Sequence, residues 1–288
     1  MKYRDIIKLL RIEQWYKNLL IYVPLIFSQN LMRKIFLIRT TIGFFALSLA
    51  SSAIYIINDI RDVERDRLHP IKKFRPIASG KISIKLAFFY AISILLISLF
   101  LSFTLSFMFT VAIFFLFLLS MIYTLYLKNS AILDILLIAI NYIIRSSSGA
   151  LIIYVYISPW LIAGIFFTAI FLSLNKRKIE LITLGDMAPR IRQVFNEYNM
   201  KNLDQMINII STLIILTWTL YSIESRYPML IITTPLIVYI IFRYLMLINL
   251  KKKQYNNPHD VVLKDKNLLI SILIFVVMVI ISIYFIRL

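Results

Sequence analysis

Cysteine occurs nowhere in the 288 residues, which removes any disulfide framework, thiol nucleophile or cysteine metal site. Histidine stands only at His69 and His259, and glycine appears five times. The chain contains no phosphate-binding Gly-x-x-x-x-Gly-Lys loop, dinucleotide Gly-x-Gly-x-x-Gly turn, His-Glu-x-x-His pair or Gly-x-Ser-x-Gly elbow. A nucleotide-driven pump, a haem protein and a serine hydrolase therefore find no support. Acids are also scarce, with 14 Asp and Glu against 32 Lys and Arg for a formal charge of +18. That surplus does not point to nucleic acid, because the bases cluster in short segments between apolar runs, the footprint of cytoplasmic loops. Anionic lipid headgroups and anionic substrates are the expected partners.

What the chain has in excess is apolar sequence, at 60 % of its residues. A soluble core could not hide so many runs of about twenty apolar residues, so the expected fold class is all-α, a polytopic helical membrane protein. Nine spans are expected near 19–36, 38–58, 84–101, 105–126, 132–154, 159–175, 206–223, 229–248 and 267–286, forming a single integral membrane domain over 1–288. The first span is interrupted by Pro24, and Arg33 and Lys34 follow near its end. Residues 1–18 read as a basic amphipathic lead-in able to lie on a membrane surface. They show neither the apolar core nor the cleavage site of a signal peptide. With the N-terminus inside, the segments 1–18, 59–83, 127–131, 176–205 and 249–266 hold most of the bases. This topology puts the two long polar loops, about 59–83 and 176–205, on the cytoplasmic side of a plasma (inner) membrane.

The first of those loops opens with the densest cluster of acids. Along a continuing helix, Tyr55, Asn58, Asp59, Asp62 and Asp66 fall at i, i+3, i+4, i+7 and i+11, on one face. Three carboxylates and a carboxamide on one stripe repel each other unless a cation sits among them. Oxygen ligands with room for phosphate suit Mg2+, which takes one or two carboxylates plus substrate phosphates. Asn58, Asp59, Asp62 and Asp66 are the candidate metal ligands, and Asp59, Asp62 and Asp66 the candidate catalytic carboxylates. A solvated helix end, salt-bridged through Arg61, Arg65 and Arg67, accounts for the same residues. Downstream, Pro70 and Pro76 stiffen the chain, while Lys72 and Arg75 add charge suited to phosphate oxygens.

Further phosphate-binding candidates lie elsewhere. Lys176 and Arg177 stand one turn before Glu180, either an intrahelical ion pair or a phosphate clamp oriented by that acid. Tyr123 and Lys128 close the fourth span, where an interfacial aromatic anchor is the plainer account of Tyr123. Arg145 sits deep in an apolar run behind Asn141 and ahead of three serines. A charge at that depth faces the bundle interior or a water-filled cavity. Lys17 could meet a lipid phosphate or simply snorkel. Asp134, Trp160 and Arg243 read as boundary or packing residues.

The stripe Asn58-Asp59-x-x-Asp62-x-x-x-Asp66 on such a scaffold resembles the UbiA superfamily of membrane prenyltransferases. Several further motifs, in consistent order, resemble the decaprenyl-phosphate phosphoribosyltransferase family within it. They are Arg-x-x-Gln-Trp-x-Lys-Asn from Arg11, the run from Asn58 to Gly80, Leu127-Lys128, Ser158-Pro159-Trp160, Lys-Arg-x-x-Glu from Lys176, and the run from Asn257 to Asp265. The resemblance implies a nine-helix UbiA-type bundle with a cytoplasm-facing active-site cavity. It also implies Mg2+-dependent transfer of 5-phosphoribosyl from phosphoribosyl diphosphate to a polyprenyl phosphate. Lys17 and Tyr55 are the candidates for the lipid-phosphate side. Aromatic prenyltransferases of the superfamily carry a second aspartate-rich motif after helix 6, where this chain reads Asn175-Lys-Arg-Lys-Ile-Glu180. The basic replacement suits a substrate pair with additional phosphates. A prenyltransferase acting on an aromatic acceptor is the alternative, as is a transporter, which would line both leaflets with charge. A homo-oligomer is compatible with all of these readings.

Overall fold

The computed structural model describes residues 3–68, 72–127, 130–191, 193–250, 255 and 257–285. Among them the secondary structure is helical, with no strand. The elements in order are α1 (Tyr3–Leu10), a 3-10 helix over Ile12–Tyr22, α2 (Val23–Phe27), α3 (Lys34–Arg61), α4 (Val63–Leu68), α5 (Ile84–Leu105) and α6 (Phe107–Ile122), which continues into a π-helical turn over Tyr123–Leu127. Then follow α7 (Leu133–Ile153), α8 (Pro159–Leu184), α9 (Ala188–Ile191), α10 (Met200–Glu224), a 3-10 turn over Pro228–Thr233, α11 (Thr234–Leu250), α12 (Pro258–Lys264) and α13 (Lys266–Tyr284). Eight of these helical stretches are long and apolar enough to cross a membrane.

The first expected span, 19–36, takes a different form. Ile12–Tyr22 winds as a 3-10 helix and Val23–Phe27 as a short α-helix, with Pro24 in its first turn. Gln29 then adopts a left-handed backbone, and the chain turns before α3. A 3-10 helix climbs about 2 Å per residue, so this helical path is still roughly 30 Å long. It falls short of a regular membrane α-helix in residues but not in reach.

Element ends follow local chemistry. The side chains of Ser83, Asn199 and Asp265 accept from the backbone N–H three residues on and start α5, α10 and α13. Asn257 and Asp260 form a reciprocal capping box around Pro258 at the start of α12.

The chain divides into two compact units, Met1–Leu125 with Ile144–Tyr156, and Tyr126–Ile143 with Ile157–Leu288. In the first, α3 is central and packs on the 3-10 helix, α5, α6 and α1. Its buried residues include Ala46, Ser48, Ala50, Ser51, Ser52 and Ala53, and small residues let helices approach closely in a membrane. At Gly149 the approach is closest: a Cβ there would lie 1.9 Å from the carbonyl oxygen of Ile21. Arg39 donates from Nη2 to the carbonyls of Leu105 (2.5 Å) and Ile152 (3.2 Å), satisfying the last turns of α5 and α7. A separate apolar cluster of Leu9, Ile56, Val63, Ile77 and Ile82 pins the segment after α4. In the second unit, α8 lies along α10, and α11 and α13 pack together. Ile170, Phe171, Leu203, Ile207, Tyr244 and Leu247 belong to its core.

Candidate functional site

The acidic stripe forms where α3 ends. The Asp62 N–H donates to the Asn58 carbonyl (3.0 Å) and the Asp66 N–H to the Asp62 carbonyl (2.8 Å). Asn58, Asp62 and Asp66 therefore keep helical register through the junction with α4, as the spacing predicts. The stripe is divided by burial. Asp59 and Asp66 are 4 % and 2 % exposed, whereas Asn58 and Asp62 are half-buried. Both buried carboxylates hold arginine. Arg75 donates from Nη1 to Asp59 Oδ1 (3.0 Å) and to Asp66 Oδ2 (2.6 Å), and Arg11 Nη2 bonds Asp59 Oδ1. Arg11 reaches this place from a left-handed backbone (φ 49°) between α1 and the 3-10 helix. Its guanidinium also lies 5.2 Å from the centre of the Tyr55 ring.

Asn58 is held from the π-helical turn. Thr124 donates to Asn58 Oδ1 (2.7 Å), and Arg61 donates to the carbonyls of Thr124 and Leu125. Such turns recur at functional sites because they expose backbone that an α-helix would use up. Tyr123 opens this turn, half-buried, and Lys72 is exposed in the 3-10 turn Lys72–Phe74. Lys128 and His69 fall outside the described residues.

A second polar group lies within the same unit. Arg145, 7 % exposed, donates from Nη1 to Asn18 Oδ1 and to Ser51 Oγ (2.8 Å). Asn18 in turn donates to Ser48 Oγ (3.0 Å). These partners are neutral, and no carboxylate among the described residues forms an ion pair with Arg145. Lys17 bonds Gln14 Oε1 (2.9 Å) and likewise has no acidic partner among them.

In the second unit the basic turn of α8 is tied down. Arg177, 2 % exposed in its side chain, meets Asp134 Oδ2 through Nε (3.0 Å) and Nη2 (2.9 Å) and Glu180 Oε2 through Nη1 (2.8 Å). Tyr198 donates to Asp134 Oδ1 (3.1 Å) and accepts the N–H of Ile132 (2.7 Å). Burial, with Asp134 beside it, pushes the Tyr198 hydroxyl above the usual tyrosine range. Ile132 needs that hold, since it carries φ 68°, a costly conformation for a β-branched residue. Lys178 is likewise buried, on Asp204 and Asn249 at 2.6 Å each. Lys176 stays half-exposed, 4.0 Å from Glu180.

Among the described residues no three Asp, Glu or His side chains gather where one metal ion could sit. What α3 offers a divalent cation is Asn58 Oδ1, which keeps a second lone pair beside Thr124, and the Asp62 carboxylate one turn on. Two protein oxygens, completed by substrate phosphate and water, fit Mg2+. Asp59 and Asp66, expected in the same ligand set, accept from arginine at Asp59 Oδ1 and Asp66 Oδ2.

Residues 23–259 match the profile of the UbiA prenyltransferase family. The chain belongs to that family. It is 29 % identical over 223 residues to the decaprenyl-phosphate phosphoribosyltransferase of Mycobacterium tuberculosis (strain ATCC 25618 / H37Rv), covering 76 % of this chain and 74 % of that one. It is 28 % identical over 227 residues to the enzyme of the same name from Corynebacterium glutamicum, covering 76 % and 67 %. Among solved structures, a UbiA homolog from Archaeoglobus fulgidus bound to GPP and Mg2+ superposes with a TM-score of 0.73 at 18 % identity, covering 97 % of this chain and 99 % of that one. The nine-helix expectation agrees with this fold, with Ile12–Phe27 as the irregular member. A UbiA-family chain with eight long apolar helices is an integral membrane protein. Four polar residues of its two units escape sequence reasoning: Asn18, Thr124, Asp134 and Tyr198. Asp134 reads as a boundary residue because its partner Arg177 lies 43 positions away. Asn18 alone carried a signal, through the motif from Arg11.

Proposed function

We propose that this UbiA-family protein transfers 5-phosphoribosyl from phosphoribosyl diphosphate to a polyprenyl phosphate, releasing diphosphate. The named relatives support the reading, and the charge inventory of the first unit carries it. Arg145 and Lys17 are cations without a carboxylate partner among the described residues, while Asp59 and Asp66 are already compensated by arginine. A site so balanced favours phosphates on both substrates. An acceptor with no anionic group would leave the buried guanidinium uncompensated.

Asn58 and Asp62 would hold Mg2+ against the diphosphate. Bound there, Mg2+ supplies neutralisation of the charge that develops on the departing oxygens. Arg75 contacts the same diphosphate. Arg177, buried between Asp134 and Glu180, fixes the orientation of Glu180. Arg145 and Lys17, with Tyr55, take the lipid phosphate. The bond from ribose C1 to the diphosphate oxygen breaks with its electron pair leaving on oxygen, and a lipid-phosphate oxygen forms the new bond to C1. That nucleophile is anionic already, so no general base is needed, in keeping with a chain that holds two histidines. Positioning and fixed charge then provide the acceleration. The chemistry is placed at the cytoplasmic face of the membrane, where the basic segments belong.

Purified protein incubated with phosphoribosyl diphosphate, a polyprenyl phosphate and Mg2+ is expected to yield a phosphoribosyl lipid, seen by mass spectrometry, and Asp62→Ala to yield none while remaining folded. Wild-type protein that forms no such lipid but prenylates an aromatic acid would overturn the assignment.

A further inference from the structure

Asp59 and Asp66 are the two members of the acidic stripe that the fold withdraws from water. Among the described residues the hydrogen bonds and ion pairs at their carboxylates come from Arg11 and Arg75. Two guanidinium groups against two carboxylates make the cluster neutral. A divalent cation ligated by these same oxygens would add two positive charges to a cluster that is already balanced. Asn58 and Asp62 are half-buried and present a different environment.

Arg75 commits a single nitrogen, Nη1, to both carboxylates. Its Nε and Nη2 donors have no partner among the described residues, and its side chain is 29 % exposed. A guanidinium held at one nitrogen and open along the Nε–Nη2 edge is the fork that accepts two phosphate oxygens. The backbone beneath it is also fixed. The Arg75 N–H donates to the Lys72 carbonyl and the Ser79 N–H to the Arg75 carbonyl, both at 2.9 Å, and Ile77 and Ile82 are buried just beyond.

The geometry points to Asp59 and Asp66 as positioning residues that aim the open edge of Arg75 at a phosphate of the diphosphate donor, leaving the metal to Asn58 and Asp62; this rests on the diphosphate-and-metal reading above. The probe is inorganic diphosphate, titrated with Mn2+ into the purified full chain in nanodiscs and followed by the electron paramagnetic resonance of bound Mn2+. Arg75→Gln is expected to weaken diphosphate binding about 10-fold to 100-fold. Asp66→Asn is expected to weaken it by a similar factor, and the double variant no further than Arg75→Gln alone, because the two act as one unit. At saturating diphosphate all three still bind Mn2+, whereas Asp62→Asn loses it. In turnover the loss appears in KM for phosphoribosyl diphosphate more than in kcat, and Arg75→Lys, with charge but no fork, recovers only part of it. The assignment is overturned if Asp66→Asn loses Mn2+ as Asp62→Asn does while Arg75→Gln binds diphosphate normally. If Asp66→Asn does not fold, the Arg75 variants decide: weaker diphosphate with Mn2+ retained supports the assignment, and unchanged diphosphate binding overturns it. A wild-type protein that passes this titration yet makes no phosphoribosyl lipid refutes the substrate reading and leaves the assignment standing.

Discussion

Arg145 and Arg177 are both buried guanidinium groups, yet their partners give them different work. Arg177 lies between two carboxylates, Asp134 and Glu180. Arg177→Met would remove the ion pair that the fully buried Asp134 makes with α8, at a cost of about 3–5 kcal/mol, readable as a fall in thermal stability. Among the described residues Arg145 bonds Asn18 and Ser51 and no carboxylate. Arg145→Met removes a cation that no described acid depends on, so the fold should survive while KM for the lipid phosphate rises about 10-fold or more, with Arg145→Lys intermediate. Tyr198 offers a pH test. Its hydroxyl is raised above its ordinary value of 10.0 by burial and by Asp134. The folded protein therefore keeps that proton longer than the unfolded chain, so stability is intact below about pH 10 and falls as pH rises beyond it. Tyr198→Phe should flatten that alkaline decline in melting temperature, while lowering stability at neutral pH by about 1–3 kcal/mol through the orphaned Ile132 N–H.

Among the elements, the 3-10 helix over Ile12–Tyr22 shows how packing overrides propensity. It carries Arg11 at its entry, Lys17 and Asn18 in its middle and Ile21 against Gly149. A stretched helix turns these side chains at three residues per turn, a different set of faces from the one an α-helix would present. That form is not readable from an apolar run interrupted by Pro24. Gly149→Ala tests the contact. With 1.9 Å from the missing Cβ to the Ile21 carbonyl oxygen, α7 and the 3-10 helix must separate, and a loss of about 1–3 kcal/mol is expected in a denaturation measurement. The α3–α4 junction was legible, because the i,i+4 spacing of Asn58, Asp62 and Asp66 is a local property of a helix. The partners of Asp59 and Asp66 were not, since Arg11 approaches from 48 residues upstream and Arg75 from beyond a second helix.

For the molecule as a whole, the absence of cysteine supplies a clean background for topology. Single substitutions Lys81→Cys and Arg226→Cys should label differently in intact cells, the first shielded and the second open to a membrane-impermeant maleimide, if the basic segments face inward. Chain composition and the period of its apolar runs were enough to determine a helical membrane protein, the positions of its long helices and the face shared by the acidic stripe. Each depends on neighbours within a few residues and on the cost of leaving apolar side chains or backbone amides unsatisfied. Tertiary structure decided which charges neutralise one another: Arg75 and Arg11 on Asp59, Arg177 on Asp134, and Arg145, among the described residues, on the neutral oxygens of Asn18 and Ser51. Those pairings join residues 16 to 127 positions apart. Coulomb energy depends on separation in space and on the water excluded between charges, and only the folded path of the chain sets either one.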